Sequence, residues 1–349
     1  MNFPGRVLLT ERGLLRAALV VFALFLAYRF LATVVAAVLL ISAGLLLAVA
    51  LSGPVEALYQ RKVPRPAGTA LIVGGALAVI AAGGYLLLPE LARQASQLVT
   101  TLPEALSQAL ARLRELANSL GLQIGGGDGI TTSTLASVGR KVLGGALGLF
   151  TNLASFLLGL VVILFVPLYL VAKPEPVVRW VVRLFPPGRR ERAREVLATA
   201  YTSLLGWLKG RLASMAIVGV LSIAALYIIG IPGALFLGVL TGLLAFVPFI
   251  GPVVSVVPPF LLGLAGDPVD ALWVLLAYAG IQQVESNLVT PLIMQQVASL
   301  HPAVVIVSVT VLGSAFGILG TLLAVPAAVV AGVLVDELWF ERLEAADSS

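Results

Sequence analysis

The sequence predicts an all-α, polytopic integral membrane protein. Three observations lead there. Hydrophobic residues make up 60% of the 349-residue chain and charged ones only 11%, against about 25% charged in soluble domains. Mean hydropathy is +1.07, more apolar surface than one globular core can hide. Apolar runs of about 20 residues or more, enough to cross a bilayer, recur along the chain, and in the C-terminal half they are broken by Pro and Gly. There is no cysteine and a single histidine, His301. Disulfides, thiolate chemistry and a two-histidine zinc motif are therefore excluded, and neither a metal nor a cofactor is expected.

Taken in order, Leu14 to Leu51 is too long for one span and reads as two, with a turn at Tyr28-Arg29-Phe30. The basic residues before it and the lack of a small-residue cleavage site read as an uncleaved first span. A basic loop at Arg61, Lys62 and Arg65 precedes a third span from about Ala67 to Leu88, so 1–88 forms an N-terminal three-span region. In 89–141 the residues Leu91, Ala95, Leu98, Leu102, Leu106, Leu110, Leu113, Leu116 (or Ala117) and Leu120 step by threes and fours, the mark of an amphipathic helix. That stripe suits either the protein's own or the membrane's surface, or a second subunit.

A fourth span falls in 142–172, followed by a basic segment, 173–211, suited to anchoring topology or meeting an anionic leaflet. The positive-inside rule puts the N-terminus, the 61–65 loop and 173–211 in the cytoplasm and 89–141 outside. The net charge of +5 thus serves orientation, and no nucleic-acid partner is expected.

From 212 to 341 there is no Lys or Arg. This region, 212–335, ends in an acidic tail, 336–349. A fifth span, Leu212 to Ile229, leads to a segment broken at Pro248, Gly251, Pro252, Pro258 and Pro259, and 303–335 is interrupted at Gly313, Gly317, Gly320 and Pro326. Broken or re-entrant helices of this kind mark transporter binding sites. Glu285 is the only charged side chain between Asp270 and His301. A lone carboxylate at mid-span costs about 2.5 to 3.5 kcal/mol on insertion scales, so it is a functional candidate by default. Tyr278, Gln282 and Glu285 share one helical face. Asn287 faces away from Glu285 and, with Pro291 four residues on, suits a helix break. His301 is a candidate proton coupler, although a histidine before a proline equally suits a helix cap. No phosphate-binding loop and no nucleophile elbow occurs, so neither direct ATP use nor hydrolysis is expected.

The stretch Ala245-Phe246-Val247-Pro248-Phe249-Ile250-Gly251-Pro252, then Glu285-Ser286-Asn287-Leu288-Val289-Thr290-Pro291, Leu300-His301-Pro302, Gly317-Ile318-Leu319-Gly320 and Ala324-Val325-Pro326 resemble, in order and spacing, the autoinducer-2 exporter family of permeases. The resemblance covers nearly the whole chain. It implies about seven or eight transmembrane helices and cytoplasmic termini. Expected functions are secondary export of a small polar molecule such as autoinducer-2, or Na⁺(Li⁺)/H⁺ antiport. A membrane scaffold acting through 89–141 is the competing class. The expected setting is the inner cell membrane, as a multi-pass and homo-oligomeric protein. The expected pathway residues are Tyr278, Gln282, Glu285, Asn287, Gly251, Pro252, Pro291, Gly317, Gly320 and Pro326.

Overall fold

Backbone polar groups cannot be left unpaired in lipid, and the described residues meet that demand with helices. The computed structural model describes residues 11–119, 167–289 and 301–337, and among these there is no strand. The elements are α1 (Glu11–Gln60), α2 (Arg65–Ser119), α3 (Pro174–Arg183), a 3₁₀ turn (Pro187–Arg189), α4 (Arg190–Ile229), α5 (Ala234–Leu244), α6 (Ile250–Gly266), α7 (Pro268–Val284), a π turn (Glu285–Val289) and α8 (Pro302–Val335). Among the described residues, four stretches are long and apolar enough to cross a membrane: Thr33–Gln60, Arg65–Ala109, Pro187–Ile229 and Pro302–Val335. The protein is an all-α polytopic membrane protein.

Three expectations are corrected. The first concerns Leu14 to Leu51, where α1 runs unbroken through Arg29 for 50 residues, about 75 Å of helix at 1.5 Å per residue. Arginine is a good helix former, and nothing in Tyr28-Arg29-Phe30 breaks the ladder of hydrogen bonds.

The second concerns the 88/89 boundary. Helix α2 continues across it for 55 residues, carrying Pro89 and Pro103 inside. The amphipathic stripe therefore continues the helix of the third span, and from Leu91 to Leu102 its partner is this chain's own C-terminal half. Leu91, Ala95, Leu98, Leu102 and Ala105 join one buried cluster with Leu226, Phe236, Leu237, Leu262 and Val274. Gln94 Oε1 accepts from the Phe236 backbone N–H at 3.0 Å, which ties α2 to the first turn of α5.

The third concerns residues 211 and 212, which lie in the interior of α4. The basic segment and the fifth span are one helix of 40 residues. Most of the fourth span and, after Glu337, the acidic tail lie outside the described residues.

The C-terminal half is built around α4. Helix α5 packs so closely on it that a methyl group on Gly242 would stand 2.8 Å from the Met215 carbonyl oxygen, a small-residue contact typical of membrane helices. Helices α6 and α7 form a hairpin, with Asp267 Oδ1 capping α7 through the Val269 N–H at 2.9 Å. Helix α8 is two arms. Gly317, at φ 63° and ψ −142°, interrupts the helical backbone in a conformation open essentially to glycine alone. The bend folds the arms into a sharp V. Gly320 touches the Leu312 carbonyl, and a methyl group on Gly313 would stand 2.7 Å from Thr321 Oγ1, whereas residues eight apart in a straight helix are about 12 Å apart. The predicted interruption is thus at Gly317, while Pro326 lies inside the second arm.

Candidate functional site

The predicted break after Ala234 occurs between α5 and α6. Residues 245–249 leave the helix, and Pro258 and Pro259 are absorbed within α6. At the break the Ile250 N–H donates to the Pro248 carbonyl at 2.7 Å across Phe249, whose φ is +64° and ψ −45°. That is a γ-turn of the strained hand, unusual for a residue with a bulky side chain. Gly251 is required next to it, because any side chain there would run into the Leu244 carbonyl. The turn leaves the Phe246 carbonyl outside the helical ladder, where it accepts from Arg211 Nε on α4 at 3.0 Å.

Arg211 also reaches the end of α7. Its Nη1 lies 3.2 Å from Glu285 Oε1, and the two side chains are only 12% and 9% exposed. Ser214, one turn along α4, donates to the same Glu285 oxygen at 2.8 Å. Gln282 Nε2 donates to Oε2 at 3.2 Å. Glu285 thus opens the π turn with donors on both oxygens. Arg211 Nη2 is buried without a hydrogen-bond partner among the described residues.

These groups border a cavity of about 890 Å³. Its walls come from four places: Trp207 and Arg211 on α4; Phe249 and Pro252 at the break; Tyr278, Gln282, Glu285 and Ser286 from α7 and the π turn; and Pro302, Val305 and Val325 from α8. Most of the lining is apolar, and the polar groups are few and convergent, as in small-molecule sites. Trp207 stands edge-on to Phe246, with centroids 5.8 Å apart and an 83° interplanar angle. Tyr278 turns its hydroxyl to Thr241 Oγ1 at 2.9 Å.

The structure brings together Tyr278, Gln282, Glu285 and Pro252 of the expected set, with Gly251 beside them in α6. Asn287 is exposed and donates to Gln283 Oε1 at 3.2 Å. His301 caps α8, its Nδ1 accepting from the Ala303 N–H at 3.2 Å, and is exposed next to Pro302 of the cavity wall. Gly317 and Gly320 are at the bend of α8 and are not among the lining residues, whereas Pro326 is buried directly after Val325. Pro291 lies outside the described residues.

No Lys or Arg occurs from 212 to 341, so local sequence offers Glu285 no partner. The structure supplies one in Arg211, the last cation before the gap, brought in from another helix. A signal was present. Arg211, Ser214 and Ser222 fall on one helical face at the start of an apolar run, giving that face polar groups that lipid would not favour.

A polytopic helical body with an ion-paired cavity at a helix break has the anatomy of a membrane permease. The chain belongs to the family described as AI-2E family transporters, whose model matches residues 17–339. It is 25% identical to YueF of Bacillus subtilis over 285 residues, 78% of this chain and 76% of that protein. It is 29% identical to MT0215 of Mycobacterium tuberculosis over 294 residues, 81% and 78% of the two chains. Both relatives are provisionally named transport proteins.

Proposed function

We propose that this membrane transport protein is a secondary permease of the inner cell membrane that exports a small polar molecule such as autoinducer-2. The observation that carries this reading is the cavity of about 890 Å³ with the Arg211–Glu285 pair in its wall. Its size falls in the range of about 300 to 1,000 Å³ typical of small-molecule sites. Because the pair carries no net charge, it offers donors and acceptors to a polar solute without demanding an ion. Na⁺(Li⁺)/H⁺ antiport through Glu285 would first have to displace Arg211 from the carboxylate. Against the scaffold reading stands the packing of the stripe's first part, Leu91 to Leu102, into the chain's own core.

The test is flux into proteoliposomes under imposed Na⁺ and H⁺ gradients, screening autoinducer-2 and cations side by side. Gradient-driven or downhill movement of autoinducer-2 that is lost in Glu285→Gln supports the proposal. Movement of Na⁺ or Li⁺ against protons with no organic flux would replace it with antiport.

A further inference from the structure

The sequence between the fourth span and α4 carries more positive charge than its acidic residues cancel, and the structure shows where that charge goes. Arg192 pairs with Glu195 at 3.2 Å and with Glu337 at 2.7 Å, and Arg194 lies 3.7 Å from Glu191. Arg179, Arg183, Arg189 and Arg190 reach no carboxylate among the described residues. Two of them touch only backbone carbonyls, Arg179 that of Glu175 at 3.4 Å and Arg190 that of Phe185 at 3.2 Å. All four are exposed.

The same short segment exposes large apolar side chains. Trp180 is 65% exposed, Leu184 67% and Phe185 44%. Helix α3 explains the pairing of features. Val182 turns inward and is buried. Trp180 and Leu184, one turn apart, form an outer ridge, and Arg179 and Arg183 form a parallel row beside it. The segment directly follows the apolar helical residues 167–172, the end of the fourth span expected from the sequence, which sets α3 at the membrane surface. An indole and a leucine beside unneutralised guanidinium groups at that level match the acyl boundary and the phosphates of one amphiphile.

We propose that α3 and the start of α4 form a docking surface for anionic phospholipid headgroups. Trp180 and Leu184 insert at the acyl boundary, and Arg179, Arg183, Arg189 and Arg190 hold the phosphates. The surface is separate from the cavity and does not depend on the transport reading.

The test uses the full chain in bilayers of phosphatidylcholine containing either brominated phosphatidylglycerol or brominated phosphatidylcholine at equal fraction. Trp180 is isolated as the difference between the wild type and Trp180→Phe. Trp180 should be quenched by both lipids and preferentially by the brominated phosphatidylglycerol. Each neutralised arginine in Arg→Gln variants should weaken that preference by up to about fivefold, and Arg→Lys variants should retain most of it. A salt titration of the wild type needs no substitution. The preference should collapse as the screening length falls from about 10 Å at 0.1 M toward about 3 Å at 1 M. Equal quenching by both lipids at low salt would overturn the headgroup assignment. A Trp180 shielded from both lipids would overturn the docking surface altogether and leave the face to a protein cover such as the acidic tail.

Discussion

Arg211 Nη1 lies 3.2 Å from Glu285 Oε1 although 74 residues separate them. Removing one member of a buried pair strands the other and costs about 3 to 5 kcal/mol, whereas removing both avoids that penalty. Arg211→Gln and Glu285→Gln should each lower the thermal midpoint of the solubilised protein. The double variant should lose clearly less than the sum. Additive losses would mean the two residues act independently.

Flux should depend on the same contacts in graded fashion. Glu285→Gln should abolish transport in the liposome assay. Gln282→Ala, which removes one donor from Oε2, should reduce it several-fold. Tyr278→Phe leaves the cavity shape intact and removes the hydroxyl's link to Thr241, worth about 1 kcal/mol, so it should transport nearly normally.

The bend in α8 rests on Gly317. A side chain at its φ of 63° and ψ of −142° is strained by about 1 to 3 kcal/mol. Gly317→Ala should therefore lower the thermal midpoint measurably while leaving the helix content seen by circular dichroism unchanged. Because the natural chain has no cysteine, Gly313→Cys with Thr321→Cys reports the bend directly. The pair should oxidise readily to an intramolecular disulfide, and a straight helix would hold the two thiols too far apart.

The distribution of basic residues predicts the orientation. Ser119→Cys, at the end of α2, should react with an impermeant thiol reagent added outside cells. Arg190→Cys, at the start of α4, should react only after permeabilisation. The reverse pattern would invert the predicted topology.

Much of this fold was legible because lipid permits few solutions. Hydropathy gave the helical class, and the prolines and glycines marked both interruptions. The precise break points were not legible. Pro258 and Pro259 fit inside α6, since a helix tolerates proline where neighbouring helices compensate for the lost bond. The continuity of α1 and α2 was missed for the opposite reason. An interfacial arginine and a change of composition suggest a boundary, yet neither breaks backbone hydrogen bonds. At the site, Glu285, Gln282 and Tyr278 could be read from one helix's periodicity. Arg211 could not be paired with Glu285 from local sequence, because their meeting depends on how α4 packs against α7.

Helix α4 is a single rigid rod with grips at two stations. Near its first turn Arg192 clasps Glu337, just past α8, and 19 positions further on Arg211 grasps Glu285 and the Phe246 carbonyl. Those stations are about 28 Å apart along the axis. A rod of that length works as a lever: tilting one end by a few degrees displaces the other by an ångström or more, enough to lengthen a 3.2 Å contact beyond hydrogen-bond range. Forces applied near the arginine-rich end would therefore reach the cavity mechanically, with no intervening chain of side-chain rearrangements. Lengthening that lever arm by inserting one helical turn between Val196 and Leu204 would leave each grip's own residues intact, yet it should uncouple the two in flux measurements.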